Sequence, residues 1–181
     1  MIFLKWLAFA LLDWMLLPVW YVAALLISLF TSEDSGWPWW AGWASTYDNP
    51  PSGDERWQRL GFFPFEYSGF KGYANRVGWL WRNPGYGFAK AVSVPWEEDT
   101  VIHSSGNRDI SDKYKVPGYY LAIAREPHWQ DAIAWELYIV APWGFGKCLR
   151  VRLGWKIMTH KWQSMGFAPL VNTCNPFKSY G

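Results

Sequence analysis

At 181 residues the chain has room for one compact domain beside an anchor, and its net charge of +2 is too small to argue for nucleic acid as a partner. Charged residues make up 18% and aromatics 20%, with 16 tryptophans, so the chain is built for apolar surroundings with a wet edge. A membrane headgroup layer offers an indole both an apolar bed and a partner for its N–H; core packing and sugar stacking compete for the rest of the set.

The first element is hydrophobic. Trp6 to Phe30 reads WLAFALLDWMLLPVWYVAALLISLF, interrupted only by Asp13 and Pro18. As helix it reaches roughly 37 Å, enough to cross a hydrocarbon layer once. A cleaved signal peptide would have a shorter apolar core and end in small residues, whereas this segment runs on into LFTSEDSG. The sequence therefore predicts an uncleaved anchor over residues 1–30. Lys5 precedes the segment and Glu33 and Asp34 follow it, which places the N-terminus in the cytoplasm and the body outside. Asp13 has two readings: a contact with another helix inside the membrane, or a carboxyl that reaches the interface or is protonated. Pro18 is read as a tolerated kink.

Residues 31–69 form a Trp-, Pro- and Gly-rich juxtamembrane segment. Trp37, Trp39, Trp40 and Trp43 lie just past the anchor, where an aromatic belt belongs. A sugar-stacking platform is the rival, but it favours interleaved acidic and amide residues, and Asp48, Asn49 and Asp54 come later.

Residues 70–181 are predicted to form a small α+β domain, mainly β. Lys71–Asn83 has helical spacing, with Tyr73, Val77, Leu80 and Trp81 on one face and Asn75, Arg76 and Arg82 off it. Asn83-Pro84-Gly85 ends it. Such a short amphipathic helix is expected to pack on a sheet. Residues 94–116 are the most polar stretch, read as an exposed loop or hairpin excursion. Their carboxylates (Glu97, Glu98, Asp99, Asp109, Asp112) and His103 match no calcium or zinc spacing, so no metal site is assigned.

Four later segments alternate or run apolar at strand length: 119–125, 134–141, 147–157 and 167–173. An antiparallel meander follows, with Trp143–Gly146 as a hairpin turn. In the third strand Leu149, Val151, Leu153, Trp155 and Ile157 alternate with Arg150, Arg152 and Lys156. The expectation is one packed face and one solvated basic face, with Glu136 meeting Arg150 or Arg152. Those three cations are candidate contacts to phosphate or lipid headgroups; an ordinary solvated sheet face is the plainer reading.

Catalytic signatures are missing from the sequence: no G-x-S-x-G, phosphate-binding Gly loop, H-E-x-x-H or C-x-x-C is found. His103, His128 and His160 are scattered, and Cys148 and Cys174 show neither metal spacing nor the density of a disulfide scaffold. No catalytic residue and no cofactor are assigned.

The Trp run with Thr46-Tyr47-Asp48-Asn49, the segment W-L-W-R-N-P-G-Y-G-F at 79–88, Cys148–Lys156 and Asn175-Pro176-Phe177-Lys178 together resemble a family of uncharacterised proteins of tailed bacteriophages and prophages. That resemblance implies an N-terminal hydrophobic segment and a phage-encoded accessory protein at the host bacterial inner membrane, and no activity. On this reading the partners are membrane lipid and a host envelope or phage protein. A virion or tail component entering the membrane during genome delivery, and an envelope hydrolase using carboxylates of 48–55 or 97–112, are the alternatives.

Overall fold

A computed structural model describes residues 1–31, 36–46, 69–95, 100–126, 131–157 and 166–181. Helix α1 runs from Ile2 to Leu29 and contains Pro18. A single 3₁₀ turn follows at Trp39–Ala41, then α2 (Gly69–Arg82) and α3 (Tyr86–Ala91). The strands are β1 (Val94–Pro95), β2 (Val101–Gly106), β3 (Gly118–Arg125), β4 (Ala132–Gly144), β5 (Lys147–Trp155), β6 (Phe167–Ala168) and β7 (Leu170–Ser179). The expected class is what the chain adopts: a long apolar helix, then a mainly antiparallel β structure with short helices. Two compact units result, one of Met1–Ala10 with Val92–Gly181, the other of Leu11–Ala91.

In the first unit five strands pair antiparallel in the order β2-β3-β4-β5-β7, and β1 pairs with β6. The polar stretch after Val94 supplies β2, paired along its length with β3, so it is a hairpin arm. The β4–β5 turn falls at Phe145-Gly146, where φ is 51° and 64°. Positive φ at both central residues matches the strand twist of a tight hairpin, and Gly146 adopts it without a Cβ penalty.

Both sheet faces are covered in part: Trp135 and Trp155, on the face expected to be packed, are buried, and so is much of the opposite face. Tyr120, Ala122, Ala124, Ala134, Glu136, Tyr138 and Val140 are buried, and their register places them on the face that carries Arg150 and Arg152. Tyr119 and Leu121 on the other face are exposed, and Leu137, Ile139, Leu149 and Val151 are half-buried. The expected solvated basic face is thus packed as well. Its arginines are compatible with burial because each meets a carboxylate. Cys148 is buried, Cys174 is exposed, and both are free thiols.

In the second unit α2 packs on α1, where a sheet was expected. Trp20, Ala24 and Ile27 of α1 share a core with Leu80, Ala41 and Ala44. The buried side of α2 carries Gly72, Asn75, Arg76, Val77, Gly78 and Leu80, while Trp81 is exposed. Arg76 is drawn inward because its guanidinium donates, from Nε and Nη2, to the Ser28 carbonyl at 3.3 Å. That carbonyl ends α1, where the last C=O groups lack helical partners and the dipole favours a cation.

Candidate membrane-contact site

Residues of α1 divide into two stripes. Trp6, Phe9, Ala10, Asp13, Leu16, Leu17, Trp20, Ala23, Ala24, Ile27 and Ser28 are covered wholly or in part, and recur at three- and four-residue steps. Leu7, Leu11, Leu12, Met15, Val19, Val22, Leu25, Leu26, Leu29 and Phe30 are open. A helix that is apolar all round while one side is already packed leaves a long apolar surface that no described residue covers. It is also the one helix among the described residues long and apolar enough to cross a membrane.

Within the second unit α2 runs antiparallel to α1. Arg76 lies at Ser28, the Trp81 indole donates to the Tyr21 carbonyl at 3.0 Å, and Gly85 lies against Asp13 and Trp20. Asp13 finds a partner within its own chain: its Oδ1 accepts from Trp20 Nε1 at 3.0 Å. The W-R-N-P-G-Y-G-F segment is what allows this approach. A Cβ on Gly85 (φ +67°) would lie 2.4 Å from Asp13 Oδ1, and one on Gly87 would lie 2.0 Å from the Gly42 carbonyl oxygen. The glycines of that segment therefore have a packing role.

The expected interface tryptophans split. Trp37 is partly buried and packs on the core of this unit. Trp39 is 92% exposed, and Trp40 and Trp43 are half-open. Trp43 stacks on Trp20 with centroids 5.3 Å apart and donates Nε1 to the Trp40 carbonyl at 2.9 Å. Trp40 meets the Phe30 ring edge-on at 5.9 Å. With Pro18, Val19, Val22, Ala23, Leu26 and Ile27, Trp40 and Trp43 line a groove of about 470 Å³ that contains no charged side chain.

In the first unit the opening turns of α1 rest on the sheet. Trp6 Nε1 donates to the Val171 carbonyl at 3.1 Å, and the Phe3 and Trp6 rings lie 4.9 and 5.1 Å from Trp135.

The candidate headgroup cations are engaged elsewhere. Arg152 Nε pairs with the fully buried Glu136 and its guanidinium lies 5.1 Å from the Tyr138 ring. Glu136 Oε2 also accepts from the Ile157 N–H at 2.8 Å. Tyr138 donates to Asp112 Oδ1 at 2.8 Å, and Asp112 lies 3.7 Å from Arg150 and 3.6 Å from Lys178. Burial first, then the hydrogen bond to Asp112, pushes the Tyr138 phenol up to about 12. Burial likewise raises the Cys148 thiol. Lys156 lies past the end of β5, where its backbone N–H donates to the Pro169 carbonyl. Sequence reasoning paired Glu136 with an arginine but missed Asp112 and Tyr138, since nothing local marks a loop carboxylate as the partner of a strand phenol.

Among the described residues no three His, Cys, Asp or Glu side chains converge on a metal-sized site. Of the carboxylates of the hydrolase alternative, Asp48, Asp54, Glu55, Glu97, Glu98 and Asp99 lie outside the described residues, as do His128 and His160, while Asp112 is held by Tyr138, Arg150 and Lys178. A family model, that of a family of unknown function (DUF7338), matches residues 1–181. The chain belongs to the DUF7338 family. No curated protein and no solved structure matches it.

Proposed function

We propose that the chain is a membrane-anchored protein that acts by binding, with α1 as the anchor and Trp39, Trp40 and Trp43 at the headgroup layer. The observation that supports this is the open apolar stripe of α1. Exposing ten large apolar side chains to water is unfavourable by about 25 cal/mol per Å², and a lipid phase removes that penalty without a protein partner. The finer reading takes the resemblance to phage and prophage proteins as its guide. The membrane is a bacterial host's inner membrane, and the partner is an envelope or phage protein met during infection.

Fractionation of bacteria expressing the tagged full chain tests the anchor. It should sediment with inner membranes and stay there through alkaline carbonate, and recovery in the soluble fraction overturns the reading. Expression alone should alter infection by other phages. Finding the chain as a component of purified particles would support the virion alternative instead.

A further inference from the structure

Resting on the anchoring just proposed, we infer that α1 lies in the plane of one membrane leaflet and does not cross the bilayer. In the second unit the packed side of α1 is covered by α2, α3 and the Trp39–Ala41 turn. That cover is not lipid-compatible along its length. Arg82 is exposed on α2, next to Trp81, whose indole reaches Tyr21. Tyr21 is eight residues from Leu29, about 12 Å from the nearer end of the helix. A through-going α1 would carry the Arg82 guanidinium to near mid-depth, where an arginine is among the most costly of side chains. Lys90 on α3 is exposed as well, and Asp13 lies near the middle of α1. In-plane, all three groups lie on the protein side and the open stripe alone meets acyl chains.

The first unit agrees independently. Phe3 and Trp6 are held by Trp135 and Val171, so the opening turns of α1 have sheet on one side while Leu4 and Leu7 are open. This geometry also accounts for the lack of amphipathic pattern in α1. One side is apolar because it faces a protein core, the other because it faces lipid. The result is the composition of a transmembrane segment in a helix that lies flat, where an interfacial helix with water on its far side would show a polar face.

The test uses the full chain bound to sealed vesicles, with spin labels placed one at a time at Leu11, Met15, Val22 and Leu26 in a Cys174→Ser background; buried Cys148 is slow to react. The labels should report one common depth, and a depth that rises and falls along the helix would contradict the inference. A chain that fails to sediment with vesicles overturns both the inference and the anchoring.

Discussion

Glu136 is the residue on which the packed face of the sheet most depends. It is fully buried and holds both Arg152 and the Ile157 N–H. Removing one partner of a buried pair strands the other charge, so Glu136→Ala should cost about 3–5 kcal/mol in chemical unfolding. Tyr138 gives a pH signature. Its phenol is raised from 10 to about 12, so the folded state favours the protonated form. The corresponding stability is full below about pH 10 and is lost as pH rises through about 12. Tyr138→Phe, which cannot ionise, should lose less stability than the native chain over that window, with the difference read from unfolding midpoints. The two cysteines should separate by access. Under native conditions a thiol reagent should modify Cys174 alone, and both thiols once the chain is denatured.

At the level of elements, the α2–α3 connection fixes how closely the chain approaches α1. Gly87→Ala puts a Cβ against the Gly42 carbonyl, where backbone would have to move. The expected cost is about 1–3 kcal/mol, with loss of the Trp20–Trp43 contact visible as a change in near-UV circular dichroism. The boundaries of this pair were legible beforehand, because Asn83-Pro84-Gly85 stops a helix for backbone reasons. Its buried face was not. Helical spacing sorted residues by polarity and put Arg76 outside, but the free carbonyl at the end of α1 is a tertiary partner that no local window contains. Strand β2 was ambiguous for a related reason: VIHSSG is polar on its outer side and becomes a strand by pairing with β3.

For the whole molecule, the consequential feature is that α1 belongs to both compact units. Its first turns cover Trp135, so the anchor is also part of the sheet's packing. Deleting residues 1–10 should therefore destabilise the sheet, whose own sequence is untouched, and limited proteolysis should cut within 118–179 faster than in the full chain. If the helix were only a tether, the truncated protein would resist protease as the native one does.

The apolar helix, the strand periods, the β4–β5 turn and the class of fold were legible in one dimension, because they follow from local propensity and from the spacing of apolar residues. Which face of each element is inside was decided only in three dimensions. Arg150 and Arg152 look solvated until Asp112 and Glu136 are placed beside them, and α1 looks like a simple tether until Trp6 is found on Val171. Burial of a charge depends on a partner distant in the chain, and a one-dimensional pattern records the charge without the partner.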